Sequence, residues 1–177
     1  ACTVMGIPQE EYGVSNHVSF GYTYDQDYMS AKQVAHLLLD IVAKGGNLAL
    51  NIAPQPDGRL PHRAVDELKV LSKWMAVFGP AIHGTRAVAP YRTGQWAFTG
   101  TKDSKQINAF FLYGDDNKLP AECIIPVTES NAVKVTDMRT GANVDFTPVK
   151  DGIKLSFPED IISREGDIAD CFNISVG

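Results

Sequence analysis

No stretch of this sequence concentrates lysine or arginine, and no apolar run exceeds a few residues. The first absence, with a formal net charge of -5, removes the clustered positive charge that nucleic acids and anionic membranes reward, so neither is expected as a partner. The second leaves nothing near the roughly 20 apolar residues that cross a bilayer. Cysteine is scarce too. Cys2, Cys123 and Cys171 form no CxxC pair and no metal-ligand spacing. Cys123 and Cys171 stand in apolar, strand-like surroundings and read as core thiols, with a disulfide between them as the alternative. His17, His36, His62 and His83 show neither HExxH nor HxH spacing, which argues against a metal site. Ala1 follows no initiator Met and opens no signal-peptide pattern, so the chain is expected to start at a processed or internal point and its compartment stays open.

What is present is enough for a real core: 177 residues, 44% of them apolar, in one domain or two small ones. Residues 30–88 read as helix, strand, helix. Ser30 suits an N-cap. Val34, Leu37, Leu38, Ile41 and Val42 then fall on one helical stripe, closed by Lys44 in the last turn and Gly45 at C′. In "NLALNI", Leu48, Leu50 and Ile52 share one face, while Asn47, Ala49 and Asn51 share the other. Pro61 opens a second helix whose apolar face is Val65, Leu68, Leu71, Met75 and Phe78, and Gly79-Pro80 ends it. That order is the grammar of an α/β fold with a parallel sheet, whose function sits in loops such as "APQPDG" after a strand. From about Arg86 the chain changes to short β-rich runs separated by Gly, Asp and Asn turns, which indicates an antiparallel sandwich. The boundary is expected between 84 and 92.

One stretch is specific enough to suggest a family. Phe20-Gly21-Tyr22, Gly45-Gly46-Asn47, Asn51-Ile52, Pro54, Pro56-Asp57-Gly58, Trp74 and Gly79 to Arg86 occur in one order within residues 18–88. In this the chain resembles the α-L-fucosidases of glycoside hydrolase family 29, densely over 18–88 and by pattern alone over 89–177. The resemblance implies the closing units of a (β/α) barrel in residues 1–88 and a C-terminal antiparallel β-sandwich in 89–177. It implies a retaining exo-glycosidase acting on terminal α-L-fucose of a fucosylated glycan, in a secreted, periplasmic or lysosomal setting. Retention needs two carboxyl groups about 5 Å apart and no cofactor.

The resemblance puts the nucleophilic aspartate on an earlier barrel strand. If Cys2-Thr3 match the family's "W-E-x-C-T", the acid/base glutamate lies one residue before Ala1. An upstream barrel segment of the same protein is then a required partner, and this chain alone is expected to be inactive. The two substrate-binding candidates here are Phe20 and His17. Phe20 holds the family's aromatic position, where a ring lies against the sugar, with ordinary packing as its other reading. His17 lies in the loop on the active-site side. Glu10 and Glu11 are carboxylates in the same loop and read as a solvated insertion. Tyr22 and Tyr24 read as structural, His36 as surface, and Asn47 and Asn51 as groups that satisfy the backbone. Asp57-Gly58 reads as turn chemistry. Asn173-Ile174-Ser175 fits a weak glycosylation sequon.

Two other readings stay open. One is a non-catalytic carbohydrate-binding protein, since the second half offers Tyr91, Trp96, Phe110, Phe111, Tyr113, Phe146, Phe157 and Phe172, though most of these alternate in strands as core residues do. The other is an inactive family member.

Overall fold

The computed structural model describes residues 1–7, 10–11, 14–15, 20–127, 132–164 and 168–177. The first half contains β1 (Cys2–Val4), the short hairpin β2 (Glu10–Glu11) and β3 (Val14–Ser15), α1 (Ala31–Ala43), β4 (Ala49–Asn51) and α2 (His62–Phe78). β1 and β4 pair in parallel, with Cys2 opposite Ala49 and Val4 opposite Asn51. A parallel pair needs a crossover, and α1 supplies it.

The helix boundaries follow from local chemistry. Ser30 accepts a hydrogen bond from the Gln33 backbone N–H while the Gln33 side chain accepts from the Ser30 N–H, a capping box. Glu67 of α2 adds a carboxylate to the same end, accepting from the Ala31 N–H at 2.6 Å. At the other end Gly45 takes φ +81°, a left-handed conformation that glycine adopts without strain. The buried face of α1 differs from the expected stripe. Ala31, Ala35, Leu39 and Ala43 are buried with Val34, whereas Leu37 and Ile41 are half-buried. The reason is that α1 lies between two cores. Val34 packs with Met5 and Ala64 beneath the parallel strands, where Leu50, Ile52 and Leu68 join them. Ala35, Leu39 and Ala43 pack with Trp74 and Phe78 against the second half of the molecule.

Among the described residues that second half is all β, apart from the single turn α3 (Glu159–Ile162). β5 (Arg86–Thr93), β6 (Trp96–Gly100), β7 (Gln106–Leu112), β9 (Ala132–Asp137) and β12 (Ala169–Val176) form one sheet in the order β5-β6-β7-β12-β9. β8 (Glu122–Ile125), β10 (Asp145–Val149) and β11 (Gly152–Ser156) form the other, in the order β10-β11-β8. Every pairing in both sheets is antiparallel. Between them lies one core, built from Trp96, Phe98, Phe111, Phe172 and Ile174 on one side and Ile125, Ile153 and Leu155 on the other.

The larger sheet is covered on both faces. Ala97, Phe110, Leu112, Ala169 and Cys171 alternate with the sandwich residues and face α1 and α2 instead. Polar groups fasten this junction. The Trp74 indole N–H donates to the Ala169 carbonyl at 2.8 Å, and Lys32 Nζ donates to the Gly114 carbonyl at 2.6 Å. His36, read from the sequence as surface, is half-buried here with Nε2 2.8 Å from the Ile168 carbonyl. Burial lowers its pKa, and Lys32 and Arg92 push in the same direction against that carbonyl contact. Cys123 and Cys171 are both free thiols, so the disulfide alternative is not realised.

Candidate active site

The C-terminal ends of β1 and β4 point the same way, because the strands are parallel, and the chain leaving β1 makes a long excursion before α1. Its stem is closed by backbone hydrogen bonds. The Ile7 N–H donates to the Asp27 carbonyl at 2.8 Å, and the Met29 N–H donates to the Met5 carbonyl at 2.8 Å. Met5 in turn donates to the Asn51 carbonyl at 2.9 Å, so the stem is fastened to the end of β4.

Phe20 lies within this excursion. The Asn51 side-chain amide donates to the Phe20 carbonyl at 3.0 Å, which holds that residue over the end of β4. The residue is 63% exposed. It borders an open cavity of about 510 Å³ that also takes in Cys2, Thr3 and Val4 of β1, Gly6 and Met29. Among the described residues Phe20 belongs to none of the three hydrophobic cores. Asn51 behaves as its sequence position suggested and satisfies a backbone group. That its partner is Phe20 could not be read, because the two are 31 residues apart.

Other candidates separate. His17 lies outside the described residues. Glu10–Glu11 are β2, paired with Val14–Ser15, and only their backbone is described. Asp57 makes the turn expected of it, accepting from the Arg59 N–H at 3.1 Å and from Arg59 Nε at 2.7 Å. Those bonds hold its carboxyl below the usual carboxylate range. Tyr24, read as structural, is 85% exposed. Asp25 and Asp27 also meet on this rim, each 3.4 Å from the Arg63 guanidinium.

The architecture of the chain is similar to that of solved α-fucosidases. Over 98% of its length it superposes on an α-fucosidase from Thermotoga maritima in complex with a mechanism-based inhibitor, with a TM-score of 0.79 at 24% identity and 39% of that chain covered. A second structure of the Thermotoga maritima α-fucosidase, in complex with fucose, gives a TM-score of 0.77 at 25% identity over 98% of this chain and 38% of that one. Residues 8–80 match the family model of the α-L-fucosidases. Among curated proteins the chain is 34% identical over 107 residues to an α-L-fucosidase of Branchiostoma floridae, covering 56% of this chain and 22% of that protein. It is 27% identical over 150 residues to human tissue α-L-fucosidase, covering 80% of this chain and 31% of that protein. Over residues 8–80 and in its fold, the chain is similar to the α-L-fucosidases. It spans less than a third of the length of either curated relative.

Proposed function

We propose that residues 1–88 are the closing units of a (β/α) barrel and residues 89–177 its C-terminal β-sandwich, in a retaining exo-glycosidase that removes terminal α-L-fucose from glycans. The observation that carries this reading is Phe20, held by Asn51 at the C-terminal ends of two parallel strands, inside the segment that matches the family. Barrel enzymes place their chemistry at that end. An exposed ring there suits the apolar face of a pyranose and the C5 methyl group of fucose.

Retention needs a carboxylate nucleophile and a carboxylic general acid/base about 5 to 5.5 Å apart. Both come from the part of the protein that lies outside this chain, and no cofactor enters the reaction. Phe20 and His17 bind the sugar. The sandwich supports the helices rather than the substrate. Its aromatics Trp96, Phe98, Phe110, Phe111, Tyr113, Phe157 and Phe172 are buried and Phe146 is half-buried against the same core, which leaves Tyr91 as one exposed ring, too little for a sugar-binding platform.

The test is release of the aryl group from an aryl α-L-fucoside. The intact protein should release it, and residues 1–177 alone should release none above background. No release by the intact protein would remove the fucosidase reading. Release by residues 1–177 at the intact protein's rate would put the carboxyl pair inside this chain, with Glu10 and Glu11 the first to be replaced.

A further inference from the structure

α1 begins with an arrangement that its own stability does not explain. Lys32 is the second residue of the helix, and the first turn carries no acidic side chain. A cation there faces the positive end of the helix dipole, where carboxylates are favoured and ammonium groups are not. The side chain instead reaches the loop between β7 and β8 in the sandwich. Its Nζ donates to the Gly114 carbonyl at 2.6 Å and to Asn117 Oδ1 at 2.8 Å. Those partners lie 82 and 85 residues further along the chain.

The loop is a firm anchor for this contact. It leaves β7 at Tyr113 and turns back inward at Leu119, and both residues are buried in the core between the sheets. Asn117 takes φ +50°, and its N–H donates to the Gly114 carbonyl at 3.3 Å, which brings the two acceptors of Lys32 together. Asp115 and Asp116 are exposed beside them and add negative charge to the same turn.

The other end of the tether is the sugar cavity. Met29 and Gln33, which flank Lys32 in sequence, border that cavity together with Phe20. The Met29 N–H donates to the Met5 carbonyl at 2.8 Å and the Ala31 N–H to Glu67 at 2.6 Å, so the same turn is tied to the end of β1 and to α2. Lys32 adds a polar tie to the sandwich.

We propose that Lys32 is a positioning residue for the sugar site. Through its two hydrogen bonds to the β7–β8 loop, the sandwich sets where the first turn of α1 stands, and with it the Met29 and Gln33 wall of the Phe20 cavity. The inference rests on the fucosidase reading above, and it gives the sandwich a part in binding that its buried aromatics do not. A wall of this kind meets the sugar in ground state and transition state alike, so displacing it weakens binding without slowing bond cleavage.

The experiment measures kcat and KM for an aryl α-L-fucoside, with the inhibition constant of a fucose analogue, in the intact protein and its variants. Lys32→Met keeps the aliphatic stem and removes the donor. It should raise KM and the inhibition constant together by about fivefold and leave kcat within about twofold. A merely structural role gives the opposite pattern, since a smaller folded fraction lowers kcat per total protein and leaves the inhibition constant where it was. Asn117→Ala removes one of the two acceptors and should raise the constant by about twofold. The double variant should bind no worse than Lys32→Met, because the Asn117 amide then has no ammonium left to hold. Lys44→Met, which breaks an ion pair with Asp40 inside the same helix, should leave the constant unchanged. An unchanged inhibition constant in Lys32→Met, additive losses in the double variant, or an equal rise in Lys44→Met would overturn the positioning role while leaving the fucosidase reading in place. If Lys32→Met does not fold, Asn117→Ala decides alone, and no rise there overturns the role. No turnover by the unvaried protein would remove the fucosidase reading and this role with it.

Discussion

At the scale of single residues, the proposed sugar contact rests on Phe20. Removing its ring should weaken a fucose analogue by about 1 to 3 kcal/mol, the worth of one covered aromatic, read as an inhibition constant for Phe20→Ala. Asn51→Asp should show part of the same loss without touching the ring, because it replaces the amide donor facing the Phe20 carbonyl with an acceptor. An unchanged inhibition constant in both variants would take Phe20 out of the sugar site.

A second cluster was not legible in the sequence at all. Asp137 and Asp170 are fully buried, and Arg164 reaches both, at 2.8 Å and 3.3 Å. Arg139 and Tyr113 complete the shell of Asp170. Arg164 and Asp170 are 6 residues apart, and the other pairs 27 to 57, so no regular local spacing announces them. Burial alone would raise the Asp137 carboxyl, but hydrogen bonds from Arg164 and Thr140 outweigh it and hold the pKa below its usual value. A carboxyl lowered by folding contributes stability above its unfolded value near pH 4, and that contribution disappears as pH falls through the folded value. The stability gap between the unvaried chain and Asp137→Asn should therefore be widest at pH 5 to 7 and close below about pH 4 in denaturant titrations. A gap independent of pH would mean that Asp137 acts through shape alone.

At the scale of elements, the ends of α1 were legible and its buried face was not. Ser30, Gln33 and Gly45 are local signals and they fix the helix. Periodicity favoured the largest residues, Leu37 and Ile41, but a helix held between two cores buries whichever side each core touches. On the sandwich side that is the small face Ala31, Ala35 and Ala43 around Leu39, which lets the sheet approach closely. Leu39→Ala should thus cost about 2 to 5 kcal/mol, and Ile41→Ala less, when unfolding midpoints are compared. Equal losses would restore the stripe read from the sequence. His36 adds a pH signature to the same junction. Burial lowers its pKa in the fold, so stability should decline as pH drops below about 6.5, the unfolded value. His36→Gln should flatten that part of the profile.

For the whole molecule, the runs rich in β-formers emerged as strands because each carries its own alternation and its own turn. What alternation could not reveal was that both faces of the larger sheet are dry. Phe110 between Ala109 and Phe111 looks like an unbroken apolar run, and only the helices across from it explain why. This two-sided burial decides how the chain should come apart. Residues 86–177 keep the entire core between the sheets, so they should refold cooperatively when made alone. They would, however, expose Ala97, Phe110, Leu112, Ala169 and Cys171, a contiguous patch of the kind that binds apolar dyes and promotes association. Residues 1–85 should fare worse. They lose the cover over Leu39, Trp74 and Phe78 and retain a two-stranded parallel sheet with both edges open, which is too small to hold itself together. The prediction is asymmetric: a sigmoidal, dye-binding unfolding transition for 86–177 and none for 1–85. Mixing the two fragments should suppress the dye signal and raise the midpoint of the sandwich, since the helices return to the face they cover. A cooperative transition in 1–85 by itself would show that the parallel pair and its helices form an independent unit, and the support assigned to the sandwich would fall.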